Sequence, residues 1–527
     1  MVGARAAEMP TATATTTSTS ASATATAATT TTTAIVDAAV PESCPCATTP
    51  CASIATPQAD KADPSLRYVI ESIVVRGNSR TRERVVLRFV PFVVGETFDV
   101  DDPRLDLTRF RLLGTGYFKD VQLSLRRGST RGAVVMVVEV VERNTIVIND
   151  LWLGVSADAN PDGSSKPLTA YGGADVAETN FLGTGVSLSA AVALADRQQG
   201  YRVRLTDPAF LGGPYIASFS LLYNNARDFF GNKDVLYDAP IDPSTGLPST
   251  EKTDYAVASY TRKGGDLAFG ADLSTSARLR FGYHLEWIDA YLPAAASELR
   301  GTDVVPIQFH LIPGRSYLSM LSAQLDDDTR DDPFLPTRGH SLQIGADLGV
   351  PVLGSDYSFL RLVARYSHWW SVGFHDHVLR LDMFAGAIFG DAPLFERFFI
   401  GDLSDFLPDR VLDLNFDRRP PPNFLRTDVE EMRYEEFAGR IGAEYRIPLY
   451  RGQRSVYGID LFGSAGIYGL ASQRDLTNPA AGYGGFSKIP IDLTFNLGLR
   501  ISTSAGGFLL GISNAIGFFP IRSEARQ

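Results

Sequence analysis

The sequence predicts a membrane all-β fold: an antiparallel transmembrane β-barrel of about 16 strands preceded by one small α/β domain. Three observations predict it. First, residues 148–521 alternate apolar and polar side chains in segment after segment. In 491–502, Ile491, Leu493, Phe495, Leu497, Leu499 and Ile501 share one strand face, and Asp492, Thr494, Asn496, Gly498, Arg500 and Ser502 share the other, because successive side chains of a strand point to opposite faces. Second, short connections such as 182–185, 207–214 and 504–507 alternate with long ones at 228–253, 291–314, 391–434 and 470–490. Long loops confined to one side are the pattern of bacterial barrels. Third, the chain has no run of about 18 or more apolar residues, so no transmembrane helix is predicted, whereas barrel strands never read as long apolar runs.

Residues 1–66 are rich in Ala, Thr and Ser and hold almost no large apolar residue. They cannot bury a core and are read as a disordered tail with an export region, although no apolar core of a signal sequence stands out in them. Cys44, Cys46 and Cys51 all lie here, at a spacing that makes a poor zinc site without a nearby histidine. Residues 67–144 predict the α/β domain. A strand over 67–77 ends at Gly77-Asn78, and a helix over 81–90 places Val85, Val86, Phe89 and Val90 on its apolar side. A second helix over 98–113 opens on Asp99 to Pro103 and stops at Gly114 and Gly116. Strands at 117–125 and 133–141 follow. Residues 145–527 form the barrel, with about fifteen strand candidates running from 148–157 to 507–518. Because single-chain bacterial barrels have even strand counts, either a further strand lies within 228–253, the reading favoured, or the closing strand is absent.

The net charge of −11 argues against a nucleic-acid partner. No nucleophile elbow, P-loop or paired-carboxylate motif stands out, and His375 and His377 flank Asp376 in a short turn without a third ligand at metal spacing. The reading is of a protein that is not an enzyme and carries no cofactor and no metal.

Three stretches carry a resemblance: Ile73-Val74-Val75-Arg76-Gly77-Asn78, Pro91-Phe92-Val93-Val94-Gly95-Glu96, and Leu112 to Val121, which reads LLGTGYFKDV. They resemble a POTRA domain. A POTRA followed by a bacterial surface antigen-type barrel resembles the BamA/TamA-type outer-membrane assembly family, over about residues 67–521. The resemblance implies a Gram-negative outer-membrane location with the POTRA in the periplasm. It implies unfolded outer-membrane polypeptides and the lipid bilayer as partners, with periplasmic chaperones or accessory lipoproteins beside them. It implies that the POTRA captures clients by adding a strand at a sheet edge and that the barrel seam templates their insertion. The alternative is a transport or structural barrel of the same family without insertase activity.

Site residues follow from the same resemblance. Asp328-Thr329-Arg330-Asp331 with Pro336-Thr337-Arg338-Gly339 resembles the family's turn before the ninth strand, and Glu444-Tyr445-Arg446 with Pro448 resembles its twelfth. The loop at 391–434 stands where the family's sixth loop folds into the lumen and contacts an acidic wall residue through an Arg-Gly-aromatic tip. This chain has no Arg-Gly pair there. Arg410 is the nearest substitute, with Arg418 and Arg419 as rivals. Ser464 stands at the acidic wall position. The expectation is a contact of Arg410 with Asp460 or Glu444 that locks the loop in the lumen.

Overall fold

The computed structural model describes residues 67–513 apart from 116, 214, 232–234, 242–247, 275, 294, 332–334, 374–375, 404–409, 420–422, 453–455, 479–481 and 504–505. The expected tail over 1–66, its cysteines and the end of the last strand candidate lie outside the described residues. The chain divides into two compact units, with the break between Asn144 and Thr145.

The first unit holds strand β1 (Arg67–Arg76), helix α1 (Glu83–Leu87), strand β2 (Thr97–Asp99), helix α2 (Arg104–Gly114), and strands β3 (Phe118–Arg127) and β4 (Ala133–Glu142). The sheet order is β2-β1-β4-β3, with β1 and β4 parallel. Ile70, Val85, Val86, Phe98, Leu112, Phe118, Met136 and Val138 form its core. Two sequence expectations need correction. The first helix is a short piece rather than all of 81–90. The second begins at Arg104 and not at 98, because Phe98 is spent on the sheet, where it pairs with Tyr68 and is buried. Asp102 then accepts from the Arg104 backbone N–H at 2.9 Å and from its guanidinium, which sets the helix start. Gly77 is required by conformation and by space: its φ is +83°, and a Cβ there would sit 1.9 Å from the Val140 carbonyl oxygen.

Among the described residues, the second unit is built on one antiparallel sheet of 15 strands. In chain order these are β5 (Ile146–Ala159), β6 (Ser165–Phe181), β7 (Val186–Ala195), β8 (Gln198–Phe210), β9 (Tyr215–Phe230), β10 (Ala256–Asp272), β11 (Ala277–Tyr291), β12 (Gly314–Asp328), β13 (Gly339–Gly349), β14 (Ser358–Val372), β15 (His377–Asp391), β16 (Phe437–Arg451), β17 (Val456–Ala471), β18 (Ile491–Thr503) and β19 (Gly506–Ser513). Each pairs with its sequence neighbours, and the two outermost strands, β5 and β19, approach within 8 Å at their Cα atoms. The expected extra strand within 228–253 is not a barrel strand. That stretch extends β9 and then supplies 235–241 and 248–253 to a separate four-stranded sheet with 296–300 and 303–306. Among the described residues no helix is long and apolar enough to cross a membrane.

Wall polarity follows the period of two. Leu267 and Phe269 of β10, Phe281 and Trp287 of β11, Tyr317 and Leu321 of β12, and Ile441 and Tyr445 of β16 are exposed on the outer face. Tyr260 and Arg262, Glu286 and Ile288, Ser316 and Leu318, and Glu444 and Arg446 occupy the opposite parity and are buried. An apolar exterior around a polar interior is what a bilayer imposes on a closed sheet. The long connections 231–255, 292–313, 392–436 and 472–490 all leave the same end of the sheet.

Candidate functional site

The connection 392–436 turns back into the barrel and fills its long-loop half. Leu394, Phe399, Ile400 and Leu414 are fully buried. With Phe395, Phe398, Leu412 and Phe416 they form one apolar cluster with inward wall residues Trp152, Tyr171, Tyr260, Ile288 and Leu318. Phe416 stacks on Tyr171 with ring centroids 4.9 Å apart. We call this segment the plug.

Polar contacts fix the plug's position. Arg262 of β10 is held by Glu286 of β11 through two bonds of 2.7 and 2.9 Å, and His284 approaches the same carboxylate at 2.9 Å. From there the guanidinium reaches Asp413 of the plug at 3.4 Å and lies over the Phe395 ring at 3.8 Å. The Asn224 amide donates to the Leu412 carbonyl at 2.7 Å, and Gln198 donates to that of Asn415 at 2.9 Å. Asp228 accepts from Tyr260 at 2.7 Å and from Tyr434 of the plug, whose hydroxyl also accepts from Asn415. Arg418 donates to the Asp158 carbonyl at 2.6 Å and to the Tyr255 hydroxyl at 2.7 Å. On the far wall, the Phe424 and Leu425 N–H groups both donate to the Asp492 carboxylate at 3.0 Å.

Arg410 does not make the expected contact. Its guanidinium pairs with Asp402 at 2.9 Å and donates to the carbonyls of Phe395 and Arg397, so it braces the plug from within. Burial alone would depress this guanidinium, and Asp402 beside it carries it above its ordinary value instead. Glu444 and Asp460 are engaged elsewhere, near the short-turn end. Glu444 meets Arg500 at 3.1 Å and Arg446 at 3.5 Å, and Asp460 meets Arg451 and, at 3.7 Å, Arg446. The physical reason is neighbourhood: inward-facing arginines of the same strand or of strands one or two places away reach these carboxylates first. Ser464 accepts from Asn496 at 2.8 Å.

The structure does join Glu444 and Asp460 to the predicted turn. Fully buried Arg446 donates to the carbonyl of Pro336, which is itself buried. Asp331 organises that turn by accepting from the Thr337 N–H at 2.8 Å and the Arg338 N–H at 3.2 Å. The Arg338 side chain is exposed. Gly339 has φ +99°, and a Cβ there would lie 2.4 Å from the Thr329 carbonyl oxygen, so the position admits glycine alone. Sequence reasoning missed the residues that do hold the plug: Arg262, Glu286, Asn224 and Asp228. Their signal was present as charged and amide side chains at inward parity on β9, β10 and β11.

A plugged antiparallel barrel carried by a chain with a βαβαββ module defines a class, and the comparisons agree with it. Residues 180–405 match an Omp85 superfamily domain, and residues 68–143 match a POTRA domain described as a surface antigen variable number repeat. The two domain matches and the BamA relatives support a BamA/TamA-type family of outer-membrane β-barrel proteins for this chain. It is similar to the outer membrane protein assembly factor BamA of Nitratidesulfovibrio vulgaris strain Hildenborough, 24% identical over 344 residues, covering 64% of this chain and 37% of that one. It is also similar to the BamA of Neorickettsia risticii strain Illinois, 23% identical over 349 residues, covering 64% and 40%. The chain therefore spans well under half the length of these relatives. Both are named as assembly factors, not as enzymes. The crystal structure of BamA from Haemophilus ducreyi lacking POTRA domains 1–3 superposes with a TM-score of 0.55 at 15% identity, over 87% of this chain and 82% of that one. That likeness is one of fold.

Proposed function

We propose that this protein assists the insertion or translocation of polypeptides at the outer membrane, with the POTRA on the periplasmic side capturing them and the barrel seam guiding them into the bilayer. The observation that carries the reading is the sheet order: 15 strands end on β5 and β19, which share no ladder among the described residues. The edge of a strand at such a juncture is a template for another strand. Burial of apolar strand faces in lipid supplies the driving force without a nucleotide.

The POTRA offers a second template. β3 is an edge strand of its sheet. The Val121 carbonyl accepts from Arg109 of α2 at 3.0 Å and its N–H bonds to Asp120, so its backbone groups face away from β4. By alternation, Leu123 and Leu125 turn theirs the same way. The Leu125→Pro variant removes one outward N–H, and Leu125→Ala loses comparable packing but keeps it. The expected outcome is at least tenfold weaker binding of an unfolded outer-membrane polypeptide to the proline variant than to the alanine variant, measured on folded barrels. Equal binding sinks capture by strand addition.

A transport or structural barrel without insertase activity is the second reading. It is favoured by one feature, the departure of the plug from the family's arginine tip, since Arg410 bonds within the plug itself.

A further inference from the structure

A cavity of about 580 Å³ lies at the long-loop end between three separate connections: the hairpin 296–306, the return arm of the plug at 428–436, and the loop 472–490. One cation joins all three. Arg300 ends the hairpin's first strand. Its Nε donates to Glu298 at 2.9 Å, its Nη1 to Asp475 at 3.1 Å, and its Nη2 to Glu435 of the plug at 3.4 Å. The adjacent Gly301 N–H donates to Glu431 of the plug at 2.8 Å, and Tyr483 donates to the same oxygen at 3.1 Å. Asp475 is held in place by its other oxygen, which accepts from Ser472 in a capping box.

Three other arginines, Arg397, Arg433 and Arg474, line the cavity, and the first two are committed. Arg397 pairs with Glu436 at 3.5 Å, and Arg433 donates to the backbone carbonyls of Asp417 and Arg418. Arg300 is thus the cation shared by Glu298, Glu435 and Asp475. Asp428 adds a further buried carboxylate with neither oxygen hydrogen-bonded. Removing the cation from such a group leaves buried like charges facing one another, which is strongly unfavourable.

We propose that Arg300 is the latch of the plug: the hairpin's guanidinium holds the return arm 428–436 docked, and its loss lets that arm and then the plug leave the lumen. The proposal rests on the reading of 392–436 as the element that closes the barrel. The carboxylates already feel the crowding. Burial pushes Glu435 up to about 7, with Asp475 adding to it, and burial with Asp475 pushes Asp428 up to about 6.

The test is single-channel current in planar bilayers together with amide exchange over 428–436, on full-length protein shown to be folded. Arg300→Ala should open at least ten times more often than the parent, with exchange of 428–436 accelerated by a similar factor. Arg300→Lys, which keeps the charge but not the three-way reach, should fall between them and serves if the alanine variant does not fold. In a Glu435→Gln background the effect of Arg300→Ala should shrink, because one of the charges it neutralises is gone. Parent-like current and exchange in the folded Arg300 variants overturn the latch. Deletion of 392–436 separates the two readings. Steady open current there with silent Arg300 variants leaves the plug standing and removes the latch, whereas no open current removes both.

Discussion

Along the wall of the barrel, the backbone decides what each side chain meets. Leu321 looks outward because it shares a strand face with Tyr317 and Ser319 and alternates with the inward Ser316, Leu318 and Met320. In the plug, nothing local decides. Phe395, Asp413 and Tyr434 meet Arg262 and Asp228 across separations of more than a hundred residues. The wall is specified by a repeating pattern, and the plug by a small number of individual contacts. A single substitution in the wall is therefore expected to act through its depth and face, and one at the plug through the partner it orphans.

Four substitutions or conditions sharpen that contrast. Arg262→Ala should have the largest effect, about 3–5 kcal/mol off the folded barrel, because it takes both guanidinium bonds from the fully buried Glu286; chemical unfolding in lipid vesicles reads it. A loss below about 1 kcal/mol would mean that the Arg262 network carries little. Leu321→Arg, midway along β12 on the outer face, should cost about 2–4 kcal/mol in the same assay. If it is neutral, that face does not meet lipid. Tyr434→Phe should cost about 1.5–3 kcal/mol of plug docking, the value of a hydrogen bond to a charged acceptor, seen as faster amide exchange across 428–436 with the wall unchanged.

The fourth is a pH effect. Glu435 lies above its ordinary 4.5, at about 7, because it is buried, and Asp475 adds to the shift against the opposing pull of Arg300 and Arg397. A carboxyl with a raised folded value stabilises the docked form below about pH 4.5, and that contribution is lost as pH rises through about 7. Protection of 428–436, taken as exchange relative to the intrinsic amide rate at each pH, should be greater at pH 5 than at pH 8, and Glu435→Gln should remove most of the difference. The opposite slope would contradict the burial of this group.

The same contrast explains what was legible in the sequence. The wall was readable because period two is a local rule: the segment 491–502 gave its two faces directly, and β18 forms there. The stretch 228–253 misled because even strand counts are a rule about closure and not about this segment. It has strand-forming residues, but they pair with the hairpin 296–306 outside the barrel. Phe98 was assigned to a helix because its acidic neighbours resemble a helix start, and the sheet edge took it instead. At the site, Glu444 and Asp460 were legible as lumen acids and Pro336 as a turn residue, whereas the link between them through Arg446 was not. The partner of Arg410 was not found, because a buried arginine takes the nearest carboxylate and carbonyls, and those come from its own loop. The polarity of the plug contact is also reversed from the expectation, with the arginine on the wall at 262 and the acid in the loop at 413.

The measurement that tests the central functional claim most directly is the folding rate of an unfolded outer-membrane polypeptide in lipid vesicles containing residues 67–527. The account predicts faster client folding than in empty vesicles and loss of that acceleration when 67–142 are deleted from a barrel shown to remain folded. Client folding no faster than in empty vesicles, with the full barrel folded and the plug releasable, would contradict it and leave a transport or structural barrel.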